Sequence, residues 1–209
     1  GDVRGAEQAF RRAIRLNPSY ANAHANLANV LAGTNRPADA EHHFQQALRF
    51  DPEAFETHFS YSRLLAATDR LGEAEKRLQS ALRINPSVVE AHDELGTIFA
   101  LQGKTMEAIS TYRKALDVDP RYGLVAFNLG ALLLGEGRGG EAKQYFIQAL
   151  ETEPNLAEAH LNLGNQYAME GQFSAAEQHL RQAASSADPA LQQAAQDSLS
   201  RLRAAKQRQ

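Results

Sequence analysis

The sequence contains no cysteine, which removes disulfide staples, thiolate metal sites and cysteine nucleophiles together. The same absence suits cytoplasm and periplasm equally, so the redox compartment stays open; a cytoplasmic location is expected, with the periplasm as the alternative. Charge of one sign is also missing. The formal net charge is -3 and no block of like charges occurs, so the chain carries no electrostatic footprint for a phosphate backbone or an anionic lipid surface. No nucleic-acid partner is expected. No apolar run approaches the ~18 residues of a membrane span, and no basic region followed by an apolar signal segment opens the chain. Membrane insertion is therefore not expected, although the first residue is not methionine and a cleaved signal or anchor would be compatible with that. What is present is a 209-residue chain with 43% hydrophobic and 22% charged residues, enough for one or two soluble globular units with a real core.

Proline is sparse but regular. Pro18, Pro52, Pro86, Pro120 and Pro154 are spaced 34 residues apart, and Pro189 follows one residue late. A fixed period of this length marks a stacked repeat architecture. Counted from the third residue after each proline, the units are 21–54, 55–88, 89–122, 123–156 and 157–190, and residues 1–20 fill positions 15 to 34 of a half-missing unit. In unit 89–122 the apolar residues Ala91, Leu95, Ile98 and Phe99 form one helical stripe, and Ala108, Ile109, Tyr112, Ala115 and Leu116 form a second. Between the two blocks, position 15 is Asn35, Asp69, Gly103, Gly137 or Gly171, residue types that tolerate the left-handed conformation ending a helix. The proline at position 32 closes the second helix, because it has no N–H and drives its predecessor out of the helical region. Each unit therefore reads as a helix, a turn and an antiparallel helix.

Small residues recur at the expected contacts. Position 20 is alanine in every copy (Ala6, Ala40, Ala74, Ala108, Ala142, Ala176), and so is position 27 (Ala13, Ala47, Ala81, Ala115, Ala149, Ala183). Alanine there lets backbones approach toward the near end of the usual ~8–10 Å spacing. Position 24 is large: Phe10, Phe44, Leu78, Tyr112, Phe146 and Leu180. Large against small predicts interdigitated layers.

With these residues in register the chain resembles the tetratricopeptide repeat family, whose 34-residue pattern has an aromatic at position 4, Leu-Gly at 7 and 8, Tyr at 11, Ala at 20, an aromatic at 24, Ala at 27 and Pro at 32. The segments "HLNLGNQYAMEGQFSAAEQHL" (160–180) and "AFNLGALLLGEGRGGEAKQYF" (126–146) match it closely, and the resemblance spans essentially the whole chain. It implies an all-α fold: a right-handed superhelical α-solenoid of antiparallel helix pairs, with five full units, the second helix of an incomplete unit at 1–20, and a capping helix at 191–209, in one continuous domain. Position 4 departs from the pattern, with His24, His58, His92, Ala126 and His160 where the family usually has a bulky residue. Unit 55–88 replaces Leu-Gly with Tyr61-Ser62.

At the C-terminus, Leu191, Ala194, Ala195, Leu199 and Leu202 make one stripe backed by polar faces, as the last helix of a solenoid requires. At the other end, Phe10 and Ile14 lie on a second helix without its first-helix partner. Either the parent protein continues upstream or another molecule covers that side, a self-association included.

Strings that look catalytic have simpler readings. Gly135, Gly137 and Gly140 satisfy G-x-G-x-x-G, but the dinucleotide fingerprint needs a preceding strand, and here the string joins two helices. Gly103-Lys104-Thr105 matches the end of a P-loop, whose first glycine would fall at Ile98. Four of the seven histidines share position 4, one repeat apart, too far for a common metal ion with ligands at ~2 Å; they are expected to be hydrogen-bonded packing rings. His42 and His43 are adjacent on one helix and point in different directions. No nucleophile triad or carboxylate pair stands out. No catalysis, cofactor or metal is expected.

The remaining face of each first helix, positions 2, 5, 6, 9, 12 and 13, is the face that lines the concave groove in the resembled family and binds extended peptides or partner helices there. In this chain it carries Asn26, Asn29, Phe59, Arg63, Asp93, Glu94, Thr97, Phe127, Asn128, Leu161, Asn162 and Asn165. Phe59, Phe127 and Leu161, with Leu124 and Leu134, are expected to point toward solvent, a common mark of a binding surface. A spaced row of asparagines donates and accepts, and so suits the backbone of an extended peptide. The charge is mostly acidic: Glu56, Glu90, Asp93, Glu94 and Glu158 face Arg63. No three consecutive units carry the family's clamp for a C-terminal carboxylate, so an acidic C-terminal tail is not the expected partner. The expectation is a non-catalytic scaffold for a protein or peptide. The alternatives are the substrate-recruiting arm of a larger enzyme, resembling the repeat arm of protein glycosyltransferases with an inner row of asparagines, and a homo-oligomer formed through the N-terminal end.

Overall fold

The computed structural model describes residues 2–207; residue 1 and residues 208 and 209, the outer ends of the first and last sequence segments, lie outside the described residues. The described residues form twelve helices, α1 (Val3–Leu16), α2 (Ala21–Gly33), α3 (Pro37–Phe50), α4 (Phe55–Ala67), α5 (Leu71–Ile84), α6 (Val89–Leu101), α7 (Thr105–Val118), α8 (Gly123–Gly135), α9 (Gly139–Thr152), α10 (Ala157–Met169), α11 (Phe173–Ala184) and α12 (Pro189–Lys206), and no strand. The fold is all-α. No helix among the described residues is long and apolar enough to cross a membrane.

Every first helix stops by the same device. Asn35 and Asp69 have φ of 58° and 59°, and Gly103, Gly137 and Gly171 have φ of 73° to 74°. The left-handed residue turns the next N–H back onto the last turn. Arg36, Arg70, Lys104, Arg138 and Gln172 accordingly donate to the carbonyls of Leu31, Leu65, Phe99, Leu133 and Tyr167 at 2.8–3.0 Å, the six-to-one bond of a Schellman ending. The second helices α3, α5, α7 and α9 each end two residues before their proline. Pro189 does something else: it is the first residue of α12, behind an Asp188 cap whose carboxylate accepts the Ala190 N–H at 2.8 Å. Proline is at home there because the N–H it lacks would have no helical partner. Its one-residue offset from the period follows from starting a helix rather than ending one.

The chain divides into two compact units, one up to Ala108 and one from Ile109 onward, with the division inside α7. In the first unit α1 to α6 pack in sequence, and the first helices α2 and α4 also touch; in the second, α8 to α12 pack in sequence, and α10 also touches α12. The core is the predicted alternation of large and small. Ala40, Phe44 and Ala47 on α3, and Ala142, Phe146 and Ala149 on α9, are fully buried. Tyr61-Ser62 in place of Leu-Gly is absorbed without an orphaned group: Tyr61 stacks on Phe44 at 5.3 Å and donates to Glu41 at 2.7 Å, while Ser62 donates to the Phe59 carbonyl at 2.6 Å. At the C-terminal end Ala176, Leu180, Leu199 and Leu202 close a buried cluster. In contrast, α1 buries no residue, and Phe10 and Ile14 are only half-covered.

A polar ladder runs along the repeats. Position 21 pairs with position 16 of the next unit in Glu7–Arg36 (2.8 Å), Glu41–Arg70 (2.6 Å), Glu75–Lys104 (2.8 Å) and Glu177–Lys206 (2.5 Å). The ladder is interrupted at Ile109, which is buried, and its would-be partner Arg138 pairs with Glu141 at 2.7 Å. At the next rung position 21 is Lys143, which reaches Glu170 at position 14 of the following unit at 2.6 Å, position 16 there being Gln172. The cations of the four Glu–Arg and Glu–Lys pairs are 36–42% exposed and the glutamates 16–26% exposed, so solvent screens each pair from its cationic side while the pair ties one repeat to the next.

Candidate functional site

In the first unit the exposed stripe of α4 and α6 converges on a cavity of about 260 Å³. Its polar side is Arg63 from α4 with Asp93, Glu94 and Thr97 from α6, four residues expected on the binding face. Its apolar side is Ala66, Leu78, Ile98 and Leu101. Positions 5, 6 and 9 of one helix lie beside positions 9 and 12 of the preceding first helix, which is why residues 30 apart in sequence share one wall. The Arg63 Nε lies 3.4 Å from Glu94 Oε1. Burial pushes the Glu94 carboxyl up to about 7, the Asp93 charge adds to the rise, and Arg63 opposes it. On α2, Asn26 and Asn29 are exposed.

Phe59 does not stand out into solvent. It is half-buried and stacks on Phe55, with centroids 5.7 Å apart. Phe127 is half-buried against Phe146, at 5.9 Å. Both rings fold back along their own helix pair, where they bury area that a solvent-facing rotamer would forfeit. Leu161 and Leu134 are likewise half-covered, and of the five apolar residues expected to be exposed only Leu124 is.

In the second unit Leu161 and Asn165 line a larger cavity, about 450 Å³, between α10 and α12. Ala168, Met169 and Phe173 extend its apolar wall, and Ser198, Arg201 and Leu202 close it from α12. Met169 is 81% exposed. The α12 half of this site escaped sequence reasoning because it lies beyond the last repeat; the one available signal was position 13, where an exposed Met169 follows Leu161 at helical spacing. Asn128 and Asn162 are half-buried and lie outside this cavity. Among the described residues, none of Asn26, Asn29, Asn128, Asn162 and Asn165 has its amide engaged in a side-chain hydrogen bond, so these donors and acceptors are available to a ligand.

The position 4 histidines act as seams. His24, His58, His92 and His160 each turn Nε2 to the carbonyl of the preceding repeat's proline, Pro18, Pro52, Pro86 and Pro154, at 2.9–3.1 Å. A carbonyl only accepts, so Nε2 carries the proton and Nδ1 is an acceptor. In two repeats that acceptor meets another ring: His24 with His43 at 3.0 Å and His160 with His179 at 2.8 Å, Nδ1 to Nδ1. His42, next to His43, is exposed. Where position 4 is Ala126, Gln148 from α9 donates to Pro120 at 2.7 Å in the histidine's stead. Among the described residues no group of three His, Cys, Asp or Glu is placed to hold a metal ion.

Family models described as tetratricopeptide repeat match residues 1–55, 26–89, 62–122 and 94–142, and a second such model matches residues 133–206. No curated protein sequence matches the chain. Among solved structures, YrrB, described as a TPR protein with an unusual peptide-binding site, is similar at 25% identity and a TM-score of 0.76, over 91% of this chain and 99% of that one. MamA is similar at 25% identity and a TM-score of 0.70, over 76% of this chain and 92% of that one. Pseudomonas aeruginosa pilF shares the fold at 24% identity and a TM-score of 0.77, over 87% of this chain and 83% of that one. Proteins built from such repeats are generally interaction scaffolds. With matched repeats covering 1–142 and 133–206, the chain belongs to the tetratricopeptide repeat family.

Proposed function

We propose that this protein is a non-catalytic scaffold that holds an extended segment or a helix of a partner protein against the exposed stripe of its first helices, the face that is concave in the resembled family. The observation that carries this reading is the convergence of Arg63, Asp93, Glu94 and Thr97 on one cavity that Ala66, Leu78, Ile98 and Leu101 also line. The unengaged amides of Asn26, Asn29, Asn128, Asn162 and Asn165 add backbone-type contacts that depend little on the partner's sequence. The likeness to a protein described as peptide-binding supports it as well. The test is affinity capture with cross-linking, comparing the intact chain with an Asn29→Ala, Asn128→Ala, Asn165→Ala variant. Asn29 is exposed and Asn128 and Asn165 are half-buried, so the comparison is made with a variant whose unfolding midpoint has been measured to match the parent's. A partner held by the intact chain, cross-linked to first helices and lost by the variant is the expected result. Equal capture by both would overturn the reading.

A further inference from the structure

We infer that the cavity between α4 and α6 receives the side chain of a lysine or arginine from the bound partner. This rests on the scaffold reading above and names the chemistry of one anchor. The apolar lining residues, buried Leu78 and Ile98 with Ala66 and an exposed Leu101, suit a methylene stem, and Glu94 among the polar ones suits its charged head, which is how long cationic side chains divide themselves between apolar and polar surroundings.

Charge complementarity selects this guest over others. The Glu94 side chain is 33% exposed, whereas Arg63, its ion-pair partner, is 68% exposed and reaches it through Nε at 3.4 Å. That is a loose contact, well outside the 2.7–2.9 Å of a charge-assisted hydrogen bond. A partly buried carboxylate is thus held by a cation that lies mostly in solvent. A purely apolar guest would strip the remaining water from Glu94 and offer nothing in return. An acidic guest would bring a third carboxylate to Asp93 and Glu94. A cationic head joins Arg63 beside Asp93 and Glu94 and offsets their charge. The cavity of the second unit has the opposite character, with Arg201 as its charged residue, so the preference belongs to this site and not to the repeat in general.

The test uses the intact chain labelled with nitrogen-15 and three blocked pentapeptides that differ only in the central residue: lysine, norleucine or glutamate between glycines. The lysine peptide should move the amides of Ser62, Arg63, Thr97 and Leu101 saturably, the norleucine peptide should bind about tenfold more weakly, a difference of ~1.4 kcal/mol, and the glutamate peptide should leave them still. Glu94→Gln should weaken the lysine peptide by about tenfold with the rest of the spectrum unchanged. Equal binding of lysine and norleucine peptides, shifts that fall elsewhere, or an indifferent Glu94→Gln variant would each overturn the inference. So would n-butylammonium binding as tightly as the lysine peptide, which would make this a free-amine site. The asparagine variant touches none of these cavity residues. Loss of the captured partner in that variant alongside a silent lysine titration removes the anchor and keeps the scaffold, and unchanged capture removes the scaffold by itself.

Discussion

Gly130 and Gly140 are the same residue under opposite constraints. A methyl on Gly130 would meet Phe146 Cε1 at 2.8 Å and the Ala142 carbonyl oxygen at 3.2 Å, whereas one on Gly140 would meet nothing within 4 Å. Phe146 is fully buried and cannot retreat. Gly130→Ala should therefore lower stability by ~1–3 kcal/mol through overpacking, and Gly140→Ala should raise it by ~0.5–1 kcal/mol by removing unfolded-chain freedom. Urea midpoints of the two variants check the sign of each. The first effect was legible from the repeat, which sets small residues at 8, 20 and 27 around a large one at 24. What pattern could not show was rotamer choice: Phe59 and Phe127 sit at stripe positions, yet each ring lies against another aromatic, Phe55 and Phe146.

Helix boundaries were readable almost residue by residue, because a Schellman ending needs a left-handed residue and a proline needs a chain that is no longer helical. The seams were not. Position 4 announced a packing ring, but its acceptor, a proline carbonyl six residues back, has no sequence signature of its own. The substitute Gln148 lies in the following helix, 28 residues beyond Pro120. One consequence is acid sensitivity. Burial, and then the neighbouring His24 and His42, pushes His43 down to about 4, and burial lowers His58 and His179 as well. In the unfolded chain these rings titrate near ~6.5. The folded values are the lower ones, so the unfolded chain takes up protons first as the pH falls. Stability from these groups is complete above ~6.5 and declines toward pH 4. His43→Gln keeps a donor for His24 without a titrating ring. Its thermal midpoint should fall less than the parent's between pH 6.5 and pH 4; an identical decline would contradict the assignment.

At the scale of the molecule the period predicted one uniform stack, and the contacts within each unit follow chain order as a repeat array should. The repeats are not uniform in chemistry. The ion-pair ladder lapses at Ile109 and shifts to a position 14 partner at Lys143, and the two cavities carry Glu94 and Arg201 as opposite charges. The candidate site was legible as a stripe, since helical phase alone assigns positions 5, 6 and 9 to one face. Its pooling into two cavities was not, because that depends on how α4 meets α6 and how α12 closes on α10. The proline seams have a bearing on descent and engineering. Each donor, whether His24, His58, His92, Gln148 or His160, lies inside the 34-residue segment that follows the carbonyl it satisfies. A segment cut after its proline-bearing turn therefore carries its own plug for whatever precedes it. Duplicating or exchanging whole segments leaves no junction carbonyl unmet, so the seam places no limit of its own on recombination between repeats.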